Sequence, residues 1–162
     1  MKFKVFFFIL IFGFCYMPMA NSDEIDVQKK QYATVLDIQY NPAKVLYDLT
    51  SGKLVDIVNV IDRVSYLNKL YNSDPFDSAI IVVVHGDSIP FFVKKNQAKY
   101  DSIIQRMTSL MEGSNIEFRV CSAAAKVLNF ESRDFYSFVK MVPMADAEIV
   151  RLQIEKGFAY MK

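Results

Sequence analysis

Ser78-Ala79-Ile80-Ile81-Val82-Val83-Val84-His85-Gly86-Asp87 is the stretch that decides the fold. Residues 80–84 are apolar without a break and β-branched throughout, which favours an extended strand. A strand with one wet face alternates apolar and polar residues. A continuous apolar run needs cover on both faces, as in a parallel sheet between layers of helices. The run stops at the polar turn His85-Gly86-Asp87.

Outward from this strand, strands and helices alternate. Lys44 to Thr50 predicts a strand, and Ser51-Gly52 opens a helix. Its apolar positions Leu54, Ile57, Val58, Ile61, Val64 and Leu67 share one face, and Tyr71 to Pro75 stops it. A short helical piece is expected over 88–95, then a longer helix over 97–111 with a buried stripe through Tyr100, Ile103, Ile104, Met107, Leu110 and Met111. Ile116 to Val120 alternates as a third strand with Cys121 at its carboxyl end, and Ser122 to Leu128 starts a short helix. A helical turn at 134–138, a fourth strand at 139–143, a last helix at 145–156 and a short extended end at 158–161 complete the chain. The alternation predicts a single three-layer α/β domain: a mostly parallel sheet of four to five strands, right-handed crossovers and helices on both faces. Residues 44–162 form this domain, 23–43 read as an N-terminal extension, and no repeat or second domain is apparent.

Residues 1–22 read as a secretory signal peptide: a basic start (Lys2, Lys4), an apolar run from Val5 to Phe14 and a small-residue cleavage site. Cleavage after Ser22 gives an Ala-Asn-Ser site, and cleavage after Ala20 is the alternative. The run is shorter than the roughly 20 residues that span a bilayer, so membrane contact is expected only through the signal before cleavage. Cys15 follows Phe14, where a lipoprotein signal wants a small residue. An exported, periplasmic protein is the expectation. Cleavage removes two of the 19 basic residues and none of the 18 acidic ones, leaving a nearly neutral chain with no basic patch for nucleic acid.

The mature chain then holds one cysteine, Cys121, and one histidine, His85. No internal disulfide is available to it, and a multi-Cys or multi-His zinc cluster is excluded on ligand count. There is no phosphate-loop lysine motif and no G-x-G-x-x-G after the first strand, so no nucleotide or other cofactor is expected.

In open α/β sheets, sites form outside the carboxyl ends of strands. Three loops qualify: Asp48 to Gly52, His85 to Asp87, and Cys121 to Ala123. Cys121 stands where a helix begins, and the free N–H groups and dipole of a helix start favour the reactive thiolate. The opposing reading is a packed thiol, because free cysteine is among the most buried residue types. His85 suits a base or proton relay, or else a hydrogen-bonded strand end. Asp48, Thr50 and Ser51 are placed to cap the first helix, and Gly86 to allow a turn. With Ser122 they complete the candidate crevice.

Four stretches, in this order and spacing, resemble the DsrE/DsrF-like family of sulfur-transfer proteins: Lys44 to Thr50; Ile81-Val82-Val83-Val84-His85-Gly86; Cys121-Ser122-Ala123-Ala124-Ala125; and Val142-Pro143 to Arg151-Leu152-Gln153 followed by Gly157-Phe158-Ala159-Tyr160. The resemblance implies that Cys121 accepts sulfane sulfur as a persulfide and passes it to a partner. It also implies a homotrimer or homohexamer and a sulfur donor or acceptor protein. The run Lys126-Val127-Leu128 departs from the basic residue and Gly that follow the cysteine helix in sulfur carriers. A non-enzymatic, oligomeric binding module with a packed Cys121 is the alternative. A thiol-redox role ranks last, since C-x-x-C is absent.

Overall fold

The computed structural model describes residues 32–162, so the signal peptide expected over 1–22 and the start of the expected extension lie outside the described residues. Residues 32–38 carry no helix or strand, and Gln39–Lys162 form one compact unit. In chain order this unit comprises β1 (Lys44–Leu49), α1 (Leu54–Leu70), β2 (Ala79–Val84), two short 3-10 segments (Gly86–Phe92 and Lys94–Asn96), α2 (Gln97–Met111), β3 (Ile116–Cys121), α3 (Ser122–Val127), a 3-10 turn (Ser132–Asp134), β4 (Val139–Val142), α4 (Ala145–Ile154) and β5 (Ala159–Met161).

The five strands form one sheet in the order β4-β3-β2-β1-β5, with every pair parallel. From β1 to β4 each strand lies beside its predecessor, so right-handed crossovers put the intervening helices on one face. The chain then crosses from the β4 edge to the β1 edge, and that reversal carries α4 to the other face. Burial follows the same division. Val45, Tyr47, Leu49, Ile80, Val82, Val84, Ile116, Phe118 and Val120 point into the larger core with α1 and α2. Leu46, Ile81, Val83 and Cys121 point the opposite way, against Ala145 and Leu152 of α4. The unbroken 80–84 run is thus buried on both faces, as its composition requires.

The smaller face also carries ions. Arg119 of β3 donates to Glu148 of α4 and to Glu117, Arg151 donates to Glu148 at 2.7 and 2.9 Å, and Lys140 of β4 pairs with Glu117 at 2.7 Å. The cluster holds α4 across the strand that ends in Cys121.

Several sequence expectations are corrected. The N-cap of α1 is Lys53, with no side-chain cap; Asp48 and Thr50 do not cap it. Ser51 instead accepts from Lys53 N at 3.1 Å and donates to Asp56 in the first turn at 2.5 Å. The buried stripe of α1 is Ile57, Val60, Ile61 and Val64, while Leu54, its first residue, is half exposed. The turn expected at 134–138 falls at Ser132–Asp134, where Glu131 and Asp134 form a reciprocal capping box. The extended end is a full member of the sheet, with Leu46 opposite Tyr160.

Candidate functional site

Because β3, β2 and β1 are consecutive across the sheet, all three candidate loops leave the same edge side by side. Val84 pairs with Val120, and His85 and Cys121 are the next residues on adjacent strands about 4.8 Å apart. The turn after β2 is tightly held. His85 N donates to Leu49 O at 3.0 Å, and the buried Ser88 hydroxyl lies 2.8 Å from both the Leu49 and His85 carbonyls. Gly86 has φ +58, the left-handed conformation that glycine adopts at little cost. At Gly52 the need is space: a Cβ there would stand 2.9 Å from Asp87 Cβ.

Asp48 is the centre of one cluster. His85 Nε2–H donates to Asp48 Oδ1 at 2.7 Å, and the Tyr160 hydroxyl donates to Asp48 Oδ2 at 2.7 Å. A carboxylate only accepts, so this contact places the imidazole proton on Nε2. Nδ1 has no hydrogen-bond partner among the described residues and is not sealed from solvent. The hydrogen bond to Asp48, with burial and the carboxylate charge, pushes the Tyr160 phenol above its ordinary value.

Cys121 is the centre of a second cluster. It forms the N-cap of α3, and its Sγ accepts from Ala124 N at 3.4 Å and from Ala145 N, the first residue of α4, at 3.3 Å. Donors aimed at sulfur are the partners that a thiolate or a persulfide anion accepts. The residue is only 4 % exposed, beneath the α3 start and Ala145 of α4. Among the described residues no hydrogen bond joins Cys121 to His85. The two clusters share a sheet edge.

The remaining candidates spread out. Thr50 is exposed, with its carbonyl against the Gly86 turn. Ser122 lines an open cavity of about 360 Å³ with Lys126, Phe130, Glu131, Ser132 and Met141, just beyond Cys121. Among the described residues no group of three His, Cys, Asp or Glu is arranged to hold a metal, and no helix is long and apolar enough to cross a membrane. Sequence reasoning missed Tyr160, Ser88 and the Ala145 amide as parts of this edge.

The profile of the DsrE/DsrF-like family matches residues 57–162. The chain belongs to the DsrE/DsrF-like family. The matched region holds His85, Cys121 and Tyr160, whereas Asp48 precedes it. Among solved structures, a protein of unknown function from Methanobacterium thermoautotrophicum is similar at 18 % identity with a TM-score of 0.57, covering 74 % of this chain and 97 % of that one. At that identity the likeness speaks for the fold. No curated protein matches the chain. The DsrE/DsrF-like family is associated with sulfur relay, and this member carries one cysteine among its described residues.

Proposed function

We propose that this protein is an exported sulfur carrier holding sulfane sulfur as a persulfide on Cys121. One observation carries the reading: in a DsrE/DsrF-like chain, the cysteine that ends β3 receives two backbone N–H groups on its sulfur. In the loading step the Cys121 thiolate attacks the outer sulfur of a donor persulfide or polysulfide. A bond forms between Sγ and that sulfur, the donor's S–S bond breaks, and the donor leaves as a thiolate. No external oxidant is consumed. Export rests on the signal-like residues 1–22. Assembly from several copies belongs to the same reading, and the exposed Val150 and Ile154 of α4 are side chains it would cover.

Intact mass after incubation with a polysulfide tests the proposal. The protein is expected to gain one sulfur, and Cys121→Ser none; an unchanged mass of the parent protein overturns it. The burial of Cys121 favours a second reading, a binding module with an inert, packed thiol. Alkylation decides between them. A thiol that reacts only after unfolding supports the module, and one that reacts in the native protein supports the carrier.

A further inference from the structure

The Asp48–His85–Tyr160 cluster is not needed to hold sulfur on Cys121, yet three strands deliver it to the same sheet edge. Asp48 comes from β1, His85 from the end of β2 and Tyr160 from β5, all within two 2.7 Å hydrogen bonds. The side chains of His85 and Asp48 are 23 % and 18 % exposed, sheltered but reachable. β5 also pairs with β1 through its backbone, with Leu46 opposite Tyr160. We propose that Asp48 and Tyr160 lock the His85 ring so that its bare Nδ1 serves as proton acceptor for the thiol that collects sulfur from Cys121.

This inference rests on the persulfide reading and adds the unloading step. An acceptor thiol gives its proton to His85 Nδ1 as its sulfur bonds to the outer sulfur of the Cys121 persulfide. The bond between that sulfur and Sγ breaks, and Sγ leaves with the electron pair as a thiolate facing the Ala124 and Ala145 N–H groups. The acceptor departs as a persulfide, and the imidazolium returns its proton to Sγ or to water. Atoms and electrons balance without a further reagent. Tyr160 and Asp48 are positioning residues here. Tyr160 occupies the second carboxylate oxygen, which leaves Oδ1 for the ring. The other titratable groups on the elements packed here are Lys44 and Tyr47 of β1, Glu117, Arg119 and Cys121 of β3, Asp87 of the turn after β2, and Asp146, Glu148 and Arg151 of α4; among the described residues only Asp48 is hydrogen-bonded to the His85 ring.

Two measurements test this. His85 is the only histidine of the chain, so the ¹⁵N shifts of its ring are unambiguous. In the neutral ring the proton is expected on Nε2, and the Nδ1–H tautomer overturns the lock whatever Cys121 does. The second is the rate of sulfur loss from polysulfide-loaded protein to free cysteine, expressed per loaded sulfur, across pH. Near neutrality about 3 % of a thiol of pKa roughly 8.5 is already thiolate, so His85→Gln and Asp48→Asn are expected to slow transfer by up to about 30-fold and Tyr160→Phe by less. Above the acceptor's thiol pKa of roughly 8.5 no base is required, so all variants should converge on the parent rate. A defect that stays constant with pH overturns the proton-acceptor role. Failure of the parent protein to load refutes the carrier reading, while the ring shifts still report on the lock.

Discussion

Glu148→Gln probes the element that closes over Cys121. Glu148 is 8 % exposed and accepts from Arg119 and Arg151. Breaking a fully buried ion pair by changing one partner costs about 3–5 kcal/mol. Two facts reduce that here: Arg119 keeps Glu117 as a partner, and the Arg151 side chain is 39 % exposed and contributes little. A loss of about 2 kcal/mol follows, measured as a shift in urea midpoint at unchanged slope. The pH dependence has a definite sign. The hydrogen bond from Arg151, reinforced by Arg119 and opposed by burial, holds the Glu148 carboxyl below its ordinary value of 4.5. A depressed folded value means the stabilisation is present above the unfolded pKa and lost as pH falls through the folded one. The gap between parent and variant should therefore be full at pH 7 and shrink as the solution is acidified below about 4.5. Because α4 packs with Cys121 through Ala145 and Leu152, the same change should raise the native alkylation rate of Cys121. If α4 lifts locally, 2 kcal/mol corresponds to about a 30-fold faster reaction. A gap that persists unchanged into acid, or an alkylation rate that does not move, refutes the clamp.

Three further outcomes are expected. Gly52→Ala drives a Cβ to within 2.9 Å of Asp87 Cβ and 3.3 Å of its carbonyl oxygen, so the two loops must part. A loss of about 1–3 kcal/mol in denaturant unfolding is expected, and a neutral result would mean the turn yields freely. Phe118→Ala empties a site that is 1 % exposed and packed against Phe92 and Phe138, at a cost of about 3–5 kcal/mol in the same assay. Asp48→Asn should bring the Tyr160 phenol back toward its ordinary value of 10.0, read as the ultraviolet difference from the matching Tyr160→Phe background. The sign follows from the raised folded value: the Tyr160 contribution is full below the unfolded pKa and lost as pH rises through the folded one.

The parts of the fold that were legible in the sequence are those with local periodicity. The 80–84 run announced a strand covered on both faces, and the apolar stripe over 97–111 matched α2. Strand order was not legible, because parallel pairing leaves no local mark; only the observed order brings β1, β2 and β3 together. The three-residue β5 is too short to show a period, so its pairing with β1 went unread. The site divides in the same way. The position of Cys121 at a strand-to-helix junction could be read directly. The Asp48 partners are 37 and 112 residues away, and from nearby residues alone Asp48 looked like a helix cap. The Ala145 amide that reaches Cys121 is a backbone donor 24 residues on and carries no side-chain signal.

The central claim is that Cys121 carries sulfur, and a single load-and-release cycle followed by intact mass tests it most directly. Protein treated with polysulfide and freed of reagent should weigh one sulfur more, with the addition on the Cys121 peptide, and should return to its starting mass on addition of free cysteine. Cys121→Ser should stay at its own mass throughout. No gain in the parent protein, or an equal gain in Cys121→Ser, contradicts the account.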